Sequence, residues 1–488
     1  MKSDSSRVTR REFVVGMGAL GATALTAERR PTQRPTQRPN ILFIIGEQWS
    51  AAAANLAGSK GVLRTPAFDS LVASGVSFNN SYCSYPLCSP SRASLFTGRM
   101  PHETGVIFNI DDERDAVPHD MPALGSLFAD AGYATGYFGK EHSGGVAYRG
   151  FQARGSIQFT GAGDLASGSV LDSVFARDAI NFIQTRRSAP FLAVVSPINP
   201  HDINYTLPNA PIPGKSIVDI SGAFGSHEKY LRGQDFPPLP ANFNPEAEPL
   251  MCHPFLRKFH SIQLGWTERQ WRLYLATYCL LIENTDWLVG RLLRALRDSG
   301  QEDNTLVVFT SDHGDQMTAH HLVGKGVFYE EAVRVPFVLS WRRSIKPGQA
   351  NSRALVSGVD VLPTLCDYAG VRIPPGLAGR SVRPLVEHPG AQWREYLVSE
   401  IFDGRMLRME SHKYVLHQRD EGTAEFLFDL RNDPGETRNL VGDPASNSTL
   451  KQSRALLNDW MKETGGTFER TRPSEELRRV LDMPVPPR

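Results

Sequence analysis

Several apolar runs recur along the chain, each closed off by polar residues. Ile41-Leu42-Phe43-Ile44-Ile45 is apolar throughout, and so is the heart of Pro190–Ser196, Thr305–Thr310 and Val335–Leu339. Ala134–Phe138 is a weaker instance. A run without polar alternation predicts a strand covered on both faces, as in a parallel sheet. Between the runs the spacing becomes helical. Asp120 stands where it can cap a helix through Leu124, Leu127 and Phe128 that stops near Gly132. Leu171–Ile183 is amphipathic, and the longest helical pattern runs from Thr267 to about Ser299. Thr267 and Gln270 form a capping-box pair there, and Gly300 follows the end. Strands alternating with helices predict an α/β fold: one large, mostly parallel mixed sheet with helices on both faces. The tail differs. Lys413–His417 and Glu425–Asp429 are short strands close in sequence, followed by a helix from about Ser448 to Thr464. They predict a smaller C-terminal α+β subdomain, residues 405–488, with a short antiparallel sheet beside a main domain of residues 40–404.

The N-terminus departs from this alternation. Arg10-Arg11 precedes an apolar, Gly- and Ala-rich stretch from Phe13 to about Ala27 that is too short to span a bilayer. It resembles a bacterial twin-arginine signal peptide, residues 1–27, cut after Ala24 or Ala27. That implies the twin-arginine translocation machinery as a partner and a periplasmic or secreted location. Residues 28–39 repeat Arg-Pro-Thr-Gln and read as a linker. No other stretch is long and apolar enough for a stable membrane span. Residues 202–265 are rich in Pro, Asn and Gly and predict a long ordered loop, a common place for function.

Composition narrows the options. At 488 residues the chain can bury a large core, and 41% hydrophobic with 22% charged residues is ordinary for a globular protein. Lys and Arg number 53 against 52 Asp and Glu, a balance that argues against a general nucleic-acid binder. Loss of residues 1–27 removes four basic and two acidic side chains, so the net charge of +1 becomes −1. Five cysteines are too few for a disulfide scaffold, and no pair has the CxxC spacing of a metal site. Cys279 and Cys366 sit in apolar helical patterns and read as buried thiols; a disulfide at Cys83 stays open.

Ligands of open α/β sheets bind beyond the carboxyl ends of the strands. Glu47 and Gln48 follow the first run, Lys140 and His142 follow Ala134–Phe138, His201 follows Phe191–Ser196, and Asp312 and His313 follow Thr305–Thr310, with His320 and Lys325 beyond. Asp312, Glu47 and the Gln48 amide are hard oxygen donors suited to Ca²⁺ or Mg²⁺, with His313 a softer addition. Arg92, Lys140 and Lys325 offer fixed positive charge to a tetrahedral anion. His142 and His201 can move protons near neutral pH. Asp315 reads as part of a polar turn. Ser89-Pro90 fits a helix start, which sets Cys88 against a helix N-terminus, with Gly98 at the far end.

The run Cys88-Ser89-Pro90-Ser91-Arg92-Ala93-Ser94-Leu95-Phe96-Thr97-Gly98-Arg99 resembles the signature of the formylglycine-dependent (type I) sulfatases of the alkaline phosphatase-like superfamily. Gly139-Lys140-Glu141-His142, Pro200-His201, Thr310–Gly314, Gly324-Lys325 and Leu427–Pro434 with Glu436 and Asn439 resemble further family segments in the expected order. The resemblance implies that a formylglycine-generating enzyme converts Cys88 to 3-oxoalanine, whose hydrate attacks the sulfur of a sulfate ester. It implies catalytic roles for Cys88, Arg92, Lys140, His142, His201 and Lys325. It implies a divalent cation, Ca²⁺ before Mg²⁺ or Mn²⁺, on Glu47, Gln48, Cys88, Asp312 and His313. His201, with Lys325 nearby, would serve the departing alcohol, and His142 would take a proton from the second hydroxyl as the aldehyde returns. One departure stands out: Gly46-Glu47-Gln48 replaces the usual Asp-Asp or Asp-Gln, and the extra methylene of Glu47 alters reach. The Gln48 and His313 pair looks more like the branch holding choline sulfatases, phosphonate monoester hydrolases and some glycan sulfatases. The expected activity is sulfate-ester hydrolysis, on a small molecule or a glycan. A phosphonate or phosphodiester hydrolase using the same aldehyde is the alternative, and an anion-binding protein with an intact Cys88 is a third reading. Asp202, His321 and residues 202–265 are expected to line the substrate pocket.

Overall fold

The computed structural model describes residues 38–54, 62–110, 116–155, 168–205, 236–244, 265–419 and 422–474, all within one compact unit. The expected signal peptide, most of the linker and most of 202–265 lie outside the described residues.

The main sheet has eight strands: β1 (Asn40–Gly46), β2 (Val76–Phe78), β4 (Ala134–Gly139), β5 (Ala153–Arg154), β6 (Phe191–Ser196), β7 (Thr305–Ser311), β8 (Phe337–Ser340) and β9 (Gln349–Asn351). Their order is β5-β4-β6-β1-β7-β8-β2-β9. The pairs β5–β4, β4–β6, β6–β1 and β1–β7 are parallel, and β8 runs against both β7 and β2. The apolar run that became β8 carried no sign of this reversal, because a strand buried on both faces has the same composition in either direction. A further short pair, β3 (Ser81–Tyr82) and β10 (Val356–Ser357), lies outside the sheet.

Successive residues of β1 feed two cores. Ile41, Phe43 and Ile45 join one, with α2 (Cys88–Thr97), α3 (Leu124–Asp130) and α7 (Val361–Ala369) on that face. Leu42 and Ile44 join the other, against α4 (Gly168–Gln184), α5 (Glu268–Asp298) and α1 (Pro66–Ser74). This is the period-2 rule of a strand with both faces covered. Helix α5 starts as expected: Gln270 N–H donates to Thr267 Oγ1 at 3.4 Å and Thr267 N–H to Gln270 Oε1 at 2.8 Å. Helix α3 does not. It opens after Ala123 with no side-chain cap, and Asp120 lies exposed in the turn before it. Asp120 is too far upstream for its carboxylate to serve the first-turn amides.

The tail carries a four-stranded antiparallel meander: β11 (Tyr396–Ile401), β12 (Gly404–Met409), β13 (His412–Arg419) and β14 (Gly422–Asp429). It includes the two strands expected from sequence and two that precede them. One face packs on α8 (Asn447–Thr464) through Leu407, Tyr414, Leu427, Leu450 and Leu457. Leu397, Met406, Val415 and Phe428 pack the other way, on Tyr82, Tyr329 and Val333 of the main part. Between them lies α6 (Glu330–Val333), whose Ala332 carbonyl accepts the Gly314 N–H at 2.8 Å.

Candidate active site

Four parallel strands end on one rim. Beyond β1 come Glu47 and Gln48, beyond β4 Lys140 and His142, beyond β6 His201, and beyond β7 Asp312 and His313. Helix α2 meets this rim at its first residue, Cys88, one position earlier than the Ser89-Pro90 start expected. Leu87 provides no side-chain cap; instead Asn109 Oδ1 accepts the Ser89 N–H at 3.2 Å. At the other end Gly98 sits at φ 67, the left-handed conformation that stops a helix and that glycine adopts without strain.

Glu47, Gln48, Cys88, Arg92, Lys140, His142, His201, Asp312, His313 and Lys325 come together here, while His320 stacks on Tyr329 and meets Asn242. The Cys88 sulfur lies 3.2 Å from Glu47 Oε1, 3.3 Å from His313 Nε2, 3.2 Å from Lys325 Nζ and 3.7 Å from Lys140 Nζ. His142 and His201 also reach it by hydrogen bonds. Donor atoms of Glu47, Cys88, Asp312 and His313 lie within 4.8 Å of one another, and all four residues are buried. His313 Nδ1–H donates to the Gly314 carbonyl at 2.9 Å, which leaves Nε2 facing the cluster.

Arg92 ties the carboxylates together. It pairs with Glu47, donates from Nε to Asp312 Oδ2 at 2.9 Å, and from its other end reaches the Lys140 carbonyl at 3.0 Å and Ser196 Oγ at 2.8 Å. Lys140 Nζ adds a second pair to Glu47 at 2.6 Å. Gln48 is buried beside the cluster, with Oε1 accepting from Lys325 Nζ at 2.7 Å and from Asn204 Nδ2 at 3.0 Å.

The electrostatics follow from these contacts. Burial alone would raise the Cys88 thiol, but the ammonium groups of Lys140 and Lys325 outweigh it and draw the thiol well below its ordinary value. Burial pushes Glu47 up as well, and Lys140 and Arg92 reverse that to hold it low. Asp312 goes the other way, raised by burial and then by the nearby Glu47 carboxylate. His201 is lowered to about 3 by burial and by Lys140 and Lys325, so its imidazole is neutral.

Two expected pocket residues have partners of their own. Asp202 accepts the Gly168 N–H at 2.8 Å, and the His321 ring lies 4.0 Å from that of Phe243. Ser196, Asn204 and Tyr274 went unnoticed in the sequence. Ser196 closes an apolar run and is the first polar residue at a strand end, a usable signal. Tyr274 lies in mid-helix and gave none.

The chain matches the Sulfatase family over residues 39–371 and the N-sulphoglucosamine sulphohydrolase C-terminal family over residues 318–463. It is 31% identical over 474 residues to the Delta 4,5-hexuronate-2-O-sulfatase of Bacteroides thetaiotaomicron, covering 92% of each chain. The solved structure of a 2-O GAG sulfatase superposes with a TM-score of 0.74 at 29% identity, covering 88% of this chain and 93% of that one. The phosphonate monoester hydrolase of Agrobacterium radiobacter shares the fold at 22% identity, with a TM-score of 0.67 over 86% of this chain and 95% of that one. Helices on both sheet faces and a chain-long match agree with the resemblance carried by Cys88–Arg99. The chain therefore belongs to the sulfatase family, the sulfuric ester hydrolases with an alkaline phosphatase-like fold.

Proposed function

We propose that this protein hydrolyses a sulfate ester on a carbohydrate, with Cys88 converted to formylglycine and a divalent cation held by Glu47, Asp312, His313 and the group at position 88. The observation that carries this reading is the convergence of those donors within 4.8 Å around a sulfur that Lys140 and Lys325 also face. The sulfur stands where the oxygens of the hydrated aldehyde would lie. Two carboxylates and an imidazole nitrogen suit a hard dication, and Asp312, raised by burial and by Glu47, is a site that such a charge relieves. Gln48 differs from the sequence expectation: its amide oxygen already serves Lys325 and Asn204, so we assign it to the anion-binding side rather than to the cation.

In the mature enzyme the cation supplies Lewis-acid charge and the hydrated aldehyde supplies a hydroxyl nucleophile. Arg92 holds Glu47 and Asp312 in register, and Lys140 and Lys325 neutralise the sulfuryl oxygens. The neutral imidazole of His201 has one N–H to offer the departing alcohol oxygen, and His142 accepts a proton at position 88. Carbohydrate as substrate class rests on relatives such as the hexuronate 2-O-sulfatase. The phosphonate reading has the Gln48 and His313 pair and a fold likeness behind it. A panel of 2-O- and 6-O-sulfated uronides and hexosamines, choline sulfate, an aryl sulfate and an aryl phosphonate tests the assignment. We expect kcat/KM highest on a sulfated sugar; a thousandfold preference for the phosphonate overturns it.

Because Cys88 is wholly buried, a maturing enzyme reaches it only on an extended chain. That supports modification before folding, followed by export of the folded protein through the paired arginines. No helix among the described residues is long and apolar enough to cross a membrane. Replacing Arg10-Arg11 with Lys-Lys is expected to retain active enzyme in the cytoplasm; unchanged periplasmic activity refutes that route.

A further inference from the structure

Asp315 is fully buried three residues beyond Asp312, yet it stands outside the four-residue donor cluster. Its Oδ1 accepts the Met317 N–H at 2.7 Å. Its Oδ2 accepts from Gln48 Nε2 at 2.6 Å and from the Tyr274 hydroxyl at 2.8 Å. The other end of the Gln48 amide accepts from Lys325 Nζ, and Lys325 Nζ faces position 88. Tyr274, Asp315, Gln48 and Lys325 thus form one line of hydrogen bonds that stops at the reacting group.

The two ends of an amide are chemically opposite, and its neighbours here dictate which end goes where. An ammonium has only donors, so it must meet Oε1; Asp315 Oδ2, which already accepts the Tyr274 hydroxyl, presents an acceptor and so meets Nε2. Turning the amide over would set NH₂ against Lys325 and C=O against Asp315. Gln48 is buried, so no water would repair either contact. Its backbone is pinned as well. Gln48 sits at φ 58, with its N–H on Asp312 Oδ1 at 3.0 Å and its carbonyl accepting the Tyr278 hydroxyl at 2.7 Å.

We propose that Asp315 is a positioning residue: by fixing the polarity of the Gln48 amide it aims the Lys325 ammonium at the sulfate group. The proposal rests on the reading of position 88 as the sulfate centre. Asp315→Asn is the informative change. The Met317 N–H keeps the asparagine oxygen, so the new NH₂ faces Gln48, which then turns its own NH₂ toward Lys325.

The test uses the mature, metal-loaded enzyme and inorganic sulfate as ligand, with calorimetric Kd and steady-state kinetics. Asp315→Asn is expected to weaken sulfate about tenfold and to raise KM by the same factor with kcat little changed, the sign of lost ground-state anion binding. Lys325→Met is expected to weaken sulfate at least as much. The double variant Asp315→Asn/Lys325→Met is expected to match Lys325→Met within about twofold, because the relay has no end left to aim. Gln48→Met, which breaks the line at its middle, is expected to reproduce the Asp315→Asn loss and serves if Asp315→Asn does not fold. Unchanged sulfate affinity in Asp315→Asn, or in Gln48→Met if Asp315→Asn does not fold, or fully additive losses in the double variant, overturns the relay while the site reading stands. Unchanged affinity in Lys325→Met overturns the site reading and the relay with it.

Discussion

Two buried charge clusters in this protein look alike in composition and differ in use. One surrounds Cys88. The other joins the tail to α6: Lys413 Nζ pairs with Glu330 at 2.8 Å and Glu436 at 2.7 Å and donates to the Phe328 carbonyl at 2.8 Å. Tyr82 donates to Glu330 Oε2 at 3.0 Å and accepts from Arg408 Nε at 2.7 Å. In that second cluster the ammonium has met three acceptors, and its three protons have no further use. In the first, several donors crowd one sulfur. A charge set that is complete in itself holds subunits of structure together; one whose groups converge on a single reactive atom is built for chemistry.

The comparison is open to direct attack. Cys88→Ala is expected to lower kcat/KM by about 10⁴-fold or more while shifting the urea midpoint little, since chemistry and not packing is removed. A large stability loss there would place Cys88 in the structural class. Lys413→Met is expected to do the reverse, costing about 3–5 kcal/mol of stability by stranding the buried Glu330 carboxylate. Chemical denaturation measures it, and activity per folded molecule should persist.

The second cluster also carries a pH signature. Burial raises Glu436, Lys413 opposes the rise, and the Glu330 and Glu331 carboxylates add to it, leaving it near 8. Against the cost of burial, Lys413, Arg334 and Arg408 draw Glu330 down to about 2. Glu436 therefore holds a proton in the folded state that the unfolded chain releases near 4.5. Its contribution is complete below that pH and fades as pH climbs through 8. Glu330 has the opposite sign and loses its contribution only as pH falls toward 2. Melting curves between pH 5.5 and 9 should show Tm declining in the wild type and declining less in Glu436→Gln; parallel curves would refute the assignment. The smallest effects come from helix starts. Thr267→Ala should cost about 1 kcal/mol, and Asp120→Ala less than about 0.5 kcal/mol, because only Thr267 caps its helix.

Much of the site was legible because catalytic side chains of an α/β sheet follow apolar runs directly. Glu47, Lys140, Asp312 and His313 each stand within two residues of a strand end, and Cys88 opens a helix marked by Pro90 and Gly98. What escaped notice was the support around them. Asp315 read as a turn residue, and Tyr274, in mid-helix, drew no reading. Gln48 reads as a cation ligand by residue type, and nothing local says which way its amide points; its placement on the anion side is our proposal. Asp202 and His321 were expected at the pocket; Asp202 serves the start of α4 and His321 makes an aromatic contact.

Residue order alone determined that this chain folds as a two-faced α/β sheet, that four strand ends share one rim, and that a cysteine, hard oxygen donors and fixed cations meet there. Periodicity reports which positions are covered, and residue type reports which chemistry a position can do. Neither says what lies opposite. The reversal of β8, the pairing of Lys413 across to α6, and the path from Tyr274 through Asp315 and Gln48 to Lys325 all join residues dozens to hundreds of positions apart. Those were decided only when packing of the two cores set the distances, since hydrogen bonds and ion pairs act over a few ångströms of space and are blind to separation along the chain.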